Sequence, residues 1–159
     1  MGGPINDLKL SLNWPKRVKT LLCILALAVG FVAPSFSQSG ESLVVVVNIK
    51  STTESLSKKQ LIDIYMGRFN KFPNGEVVKP VDLDSPSNHR EKFYELLVGQ
   101  SERKVNAYWS RLLFSGRATP PHKAESLNEL ISIIENDTSA LAYIDATNVQ
   151  KGMKIVYEF

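Results

Sequence analysis

Residues Leu43 to Val47 form an unbroken apolar run between polar neighbours, the pattern of a strand covered on both faces, and so point to an α/β sheet. A polar connection over 48–55 follows. Ser57 and Gln60 then have the spacing of a capping box, and Leu56 and Leu61 that of a hydrophobic staple, which together predict a helix start. Leu61, Ile62 and Tyr65 share one face of this helix, and Gly67 is placed to end it. After the turn Phe72-Pro73-Asn74-Gly75, residues 77–83 read as a strand in which Pro80 implies an edge position or a bulge.

A second helix is predicted from Ser85-Pro86-Ser87, with a serine as cap, Pro86 at the first helical position, and Phe93, Tyr94 and Leu97 on its core face. Ser101 caps a third, in which Val105, Tyr108, Trp109, Leu112 and Leu113 fall at i, i+3, i+4, i+7 and i+8 and form a packing stripe. Residues 115–123, with one glycine and two prolines, read as an exposed loop. A fourth helix has Ser126 and Glu129 as a capping box and Leu127, Leu130, Ile131 and Ile134 inward. Two strands, over 140–144 and 154–157, close the chain around a turn or short helical segment. The predicted order is β-α-β-α-α-α-β-β.

The N-terminus reads as an export leader: Lys9, Lys16, Arg17 and Lys19 precede an apolar run from Leu21 to Ala33, and Ser35-Phe36-Ser37 supplies small residues for cleavage after Ser37. That run falls short of the roughly 20 apolar residues a membrane-spanning helix needs. The expected organisation is therefore a signal peptide over 1–37 and one domain over 38–159, placed in the periplasm. Cys23, the only cysteine, lies in the leader, so disulfides and cysteine-based sites are excluded from the mature chain. Four of the 19 basic residues and one of the 16 acidic residues also lie there, which leaves the remainder balanced and removes the bulk electrostatic case for nucleic acid.

Four stretches carry a family resemblance: Val44-Val45-Val46-Val47-Asn48, the segment from Leu56 to Arg68 that includes Gln60-Leu61-Ile62-Asp63-Ile64-Tyr65-Met66-Gly67, the segment Tyr108-Trp109-Ser110-Arg111-Leu112-Leu113-Phe114-Ser115-Gly116, and Leu141-Ala142-Tyr143-Ile144-Asp145. They resemble phosphate-type periplasmic substrate-binding proteins, and in particular a short, single-lobe subgroup. The resemblance implies one lobe of a type II periplasmic-binding-protein-like fold, a mixed sheet flanked by helices. It also implies a ligand, phosphate or a related oxyanion, and an ABC-transporter membrane component as partner. Aligned on Phe93, Ser87 stands where the family places its phosphate-binding serine. Pro86, Asn88 and His89 replace the family's Gly-Ser-Gly-Thr pattern, and Leu83 stands near its usual arginine. One lobe offers half a site, and forfeiting the other half's contacts costs several kcal/mol; at about 1.4 kcal/mol per tenfold, a micromolar affinity becomes millimolar.

Independently of the resemblance, a helix start after a strand aims free amides and the positive end of the dipole outward. Ser85, Ser87 and Asn88 add donors there and His89 and Arg90 add charge, while Asp82 and Asp84 oppose an anion unless they point away. Arg117, in a Gly116-Arg117 turn, is a further exposed forked donor. The expected ligand-binding set is thus Ser85, Ser87, Asn88, His89, Arg90 and Arg117. His89 and His122 lack a metal-ligand spacing, Asp82 and Asp84 alone make a poor cation site, and no nucleophile motif surrounds any serine, so no metal, cofactor or enzymatic activity is expected. The alternative is a protein-interaction or sensory module that docks on another envelope protein. A homodimer would set two half-sites face to face.

Overall fold

The computed structural model describes residues 42–84 and 88–159. The expected leader over 1–37 and the expected serines Ser85 and Ser87 lie outside the described residues. Strands β1 (Leu43–Asn48), β2 (Lys79–Leu83), β3 (His122–Ala124), β4 (Ala140–Asp145) and β5 (Met153–Glu158) form one sheet in the order β3-β2-β4-β1-β5. β2 runs parallel to β3 and β4, whereas β1 runs antiparallel to both β4 and β5, so the sheet is mixed. Helices α1 (Lys58–Tyr65), α2 (His89–Val98), α3 (Glu102–Phe114) and α4 (Leu127–Asn136) complete the elements, with a short 3-10 turn over Ala146–Asn148.

The apolar run of β1 is explained by its place inside this sheet. Leu43, Val45 and Val47 pack into a core with α1, α2 and α3, and Val44 and Val46 pack into a second core with Leu130 and Ile134 of α4. Each residue buries its side chain whichever way the strand's alternation points it, which is why no polar position interrupts the run. At the end of β1, the Asn48 side chain donates to the carbonyls of Ile134 and Glu135 at 2.8 and 2.7 Å and so satisfies the last turn of α4.

The start of α1 is as expected. Ser57 Oγ accepts from Gln60 N at 3.3 Å, the Gln60 side-chain Oε1 accepts from Ser57 N at 2.7 Å, and Leu56 and Leu61 are buried in the same core. At α4 only half of the box forms: Ser126 Oγ accepts from Glu129 N, but the Glu129 carboxylate accepts from the backbone of Glu125. Pro80 sits where β2 is locally an edge, because β3 pairs only from Val81 onward and leaves the missing N–H nothing to serve. β5 carries a bulge opposite Val45 and Val46.

Three expectations are corrected. The loop over 115–123 ends in β3, a three-residue strand recruited by parallel pairing with Val81–Leu83 rather than by any alternation of its own. In the α3 stripe Val105 and Trp109 are buried, but Leu113 is 56% exposed and its neighbour Phe114 is 97% exposed. The helix outruns the core it packs on. Helix α2 starts at His89 with Asn88 at its N-cap, later than the start expected at Ser85-Pro86-Ser87.

Two predictions test this framework. Gly67 has φ +69°, and a Cβ there would lie 2.7 Å from the Trp109 ring, so Gly67→Ala combines left-handed strain with a clash and should lower unfolding stability by about 2–4 kcal/mol in denaturant titration. The second concerns acid. Asp137 accepts from Lys79 Nζ at 2.8 Å and from Ser139 Oγ and N at 2.5 and 2.9 Å, bonds that hold its pKa at about 2 instead of 3.8. A depressed native pKa adds stability above the unfolded value that disappears as the pH falls through the native one. The loss of stability between about pH 4 and pH 2 should therefore be shallower in Asp137→Asn, as read from thermal midpoints across that window.

Candidate functional site

β2 and β3 are parallel neighbours, but the chain leaves them on opposite faces. From β2 it continues into α2, which packs with α1 and α3, and from β3 into α4, which packs on the other side. In open α/β sheets, connections that depart this way mark the position beyond the carboxyl ends of two strands where ligands are taken. Asp84, Asn88 and His89 line the route from β2 to α2. Lys123 Nζ of β3 reaches Asp84 Oδ2 at 3.2 Å across the strand ends.

Asn88 is exposed, occupies the N-cap of α2 and makes no side-chain capping bond, so the first-turn amides of a ten-residue helix are not closed off by their own cap. His89 is half-buried and, with Lys92, acts electrostatically on Asp145 at the end of β4. The Asp145 carboxyl lies below its ordinary pKa chiefly because Thr147 donates to it from both hydroxyl and backbone, at 2.5 and 2.8 Å. The start of α2 is thus flanked by two strand ends, each with a carboxylate that already has donors.

Arg90 is placed differently from the expectation. It is 4% exposed and points into the protein, where Nε donates to Asp82 Oδ2 at 3.0 Å and Nη1 to Glu102 Oε1 at 2.5 Å. Asp82, 1% exposed, also accepts from Tyr94 Oη at 3.0 and 3.1 Å and from Tyr143 Oη at 3.4 Å. Burial pushes the Asp82 carboxyl above its ordinary value despite the Arg90 charge and these hydrogen bonds. Burial, reinforced by the Asp82 charge, raises Tyr94 and Tyr143 well above theirs, so both remain neutral donors. Asp82 is therefore buried and matched internally by Arg90, Tyr94 and Tyr143.

Of the expected site residues, Asn88, His89 and Arg90 come together at the start of α2. Arg117 does not join them. It lines a groove with Arg68, Lys79 and Pro80 at the opposite end of β2. The network around Asp82 was not foreseen, although its signal was present: Arg90 precedes Phe93, Tyr94 and Leu97 by three, four and seven residues and so falls on the buried stripe of α2.

No protein-family model matches the chain, and no curated protein matches it. Solved structures do. An ABC-type phosphate transport receptor from Vibrio cholerae superposes with a TM-score of 0.57 at 20% identity, over 72% of this chain and 45% of the receptor. A protein from Clostridium perfringens assigned as a phosphate ABC transporter substrate-binding protein, solved with bound phosphate, gives 0.57 at 15% identity over 72% and 44%. A possible phosphate-binding protein from Planctomyces limnophilus gives 0.54 at 17% over 72% and 40%. The likeness shows the fold, the periplasmic-binding-protein architecture that the sequence resemblance implied, and this chain spans less than half the length of each of these proteins.

The inward placement of Arg90 generates a prediction. Arg90→Ala leaves Asp82 buried beside a cavity with its charge unmatched and should cost about 3–5 kcal/mol of stability in denaturant titration. Arg90→Lys should recover only part of that, since a single ammonium cannot serve Asp82 and Glu102 as a fork does.

Proposed function

We propose that the chain is a periplasmic ligand-binding module that takes phosphate or a related oxyanion, weakly, at the start of α2. The observation that carries this reading is the divergence of the connections from β2 and β3 onto opposite faces of the sheet beside a helix whose N-cap residue, Asn88, makes no side-chain capping bond, in a fold shared with phosphate receptors. Ser87 and Asn88 act as side-chain donors, with Ser85 beside them, and the first-turn amides of α2 receive the anion's remaining charge. His89 tunes the approach from the β4 side. Arg90 acts by position: its bonds to Asp82 and Glu102 hold the first turn of α2 against β2 and α3. No step of this reading needs a nucleophile, a metal or a cofactor, and the role is delivery to an ABC-transporter membrane component rather than catalysis.

A second reading, a module that docks on another envelope protein and has no ligand of its own, draws support from the same Arg90. A cation next to the helix start is committed to internal carboxylates and is not available to a ligand. Titration calorimetry with phosphate and sulfate, run beside a sizing column, separates the two. The phosphate-binding reading expects a saturable isotherm with a Kd near millimolar that Ser87→Ala combined with Asn88→Ala weakens about tenfold, by loss of about 1.4 kcal/mol of hydrogen bonding. Binding confined to a dimer would assign the second half-site to a twin subunit. No heat with either anion would sink the phosphate site and leave the docking module.

A further inference from the structure

The end of the sheet opposite the helix start carries a feature that the oxyanion reading does not use. Two adjoining hollows, of about 320 and 680 Å³, share Ile64, Phe69 and Asn70 and run as one groove from the flank of α1 to the segment before β3. Its lining is mixed: Phe69, 62% exposed at the junction, and Pro120 give it exposed apolar surface over the buried Ile64, Phe72 and Val78, and Asn70 and Thr119 add polar groups. Its rim is cationic. Lys59, Arg68, Lys71, Lys79 and Arg117 line it, and against these five stand two carboxylates, Asp63, which bonds Lys59 and Arg68, and Asp137, which bonds Lys79. Lys71 and Arg117 are exposed and make no ion pair among the described residues.

We infer that this groove docks an extended acidic segment of a partner protein, with an apolar or aromatic side chain seated beside Phe69 and carboxylates reaching Lys71 and Arg117. Charge selects this occupant over the others. A second copy meeting groove to groove would oppose two cationic rims, which costs affinity. The chain's own first residues bring Lys9, Lys16, Arg17 and Lys19 and have the same sign as the rim. Nucleic acid is met by a broad positive face that follows a phosphate backbone, whereas here the cations stand around the exposed Phe69 in a chain whose charge outside the leader is balanced. An acidic segment with apolar anchors satisfies both the walls and the rim, and Arg117 supplies the forked geometry that suits a carboxylate.

The test uses the protein as purified from expressing cells and three fluorescent probes of equal length: a peptide of alternating Glu and Leu with one Trp, the same peptide with Lys in place of Glu, and a single-stranded oligonucleotide. Anisotropy titration should show saturable binding of the Glu peptide alone, weakened as salt rises. Lys71→Glu with Arg117→Glu should reduce that binding by tenfold or more, Phe69→Ala by a smaller factor, and Lys151→Glu, in the turn before β5, should leave it unchanged. An unshifted thermal midpoint in the charge-reversed protein ties the loss to the groove. Millimolar phosphate should not compete, which keeps this surface separate from the start of α2, and competition would overturn the assignment. So would tighter binding of the oligonucleotide, absence of Glu-peptide binding, or binding indifferent to the charge reversal.

Discussion

The arrangement at the functional end of the molecule depends on one buried carboxylate. Asp82 sits at the fourth position of β2, and its oxygens receive hydrogen bonds from Arg90 and Tyr94 of α2 and from Tyr143 of β4, while Arg90 continues to Glu102 of α3. Four elements are thus tied to one side chain. Burial drives its pKa up in spite of these partners, so the charge is held at a cost. What the network secures is orientation. The first turn of α2 cannot rotate or slide along β2 without breaking a charged hydrogen bond in a dry interior. Tyr143 is also stacked on Phe93 at 3.8 Å between ring centroids, which fixes the same helix from its apolar side.

A helix start held in this way is pre-organised for an anion at modest energetic return. Amides and a dipole end contribute a few tenths to about 1 kcal/mol each when water still reaches them, and far more once a second wall excludes it. The match covers less than half of each phosphate receptor, and the proposed site is drawn on this chain's own residues alone. The weak affinity in the proposed function follows from this asymmetry and does not require any defect in the helix itself.

How much was legible in the sequence differs from element to element for physical reasons. The start of α1 could be read because capping box and staple are local: Ser57, Gln60, Leu56 and Leu61 settle it among themselves. The double burial of β1 could be read because alternation fails visibly when both faces are covered. β3 could not, since three residues with a single buried side chain carry no period, and their strand character comes wholly from Val81–Leu83 across the sheet. Arg90 was read by its chemistry as a ligand donor, when its helical position already placed it on the stripe of Phe93, Tyr94 and Leu97. Periodicity was the better guide there, because a charged side chain on a buried face signals an internal partner, and Asp82 lies eight residues upstream. Arg117 was added to the ligand set for its forked donor and its exposed Gly116-Arg117 turn, and only the topology separates it from the helix start, since the segment before β3 must lie at the amino end of a strand parallel to β2.

That separation has a further consequence for how such a domain can work. The carboxyl ends of β2 and β3 face one way with α2, and the groove bounded by Arg68, Phe69 and Arg117 opens at the other end of the same two strands. The elements between them are packed together: Tyr65 of α1 donates to the Leu141 carbonyl of β4 at 3.0 Å and packs edge-on to Phe93 of α2. The proposed partner surface includes residues of α1, the helix that carries Tyr65, and Tyr65 touches the helix at whose start the ligand site is proposed. Packed interiors transmit displacement in preference to absorbing it, because they hold few voids larger than a water molecule. Tyr65, Phe93 and Tyr143 thus join α1, α2 and β4 by direct contact, and the aromatic stack that fixes α2 ties together the elements that bear the two proposed surfaces.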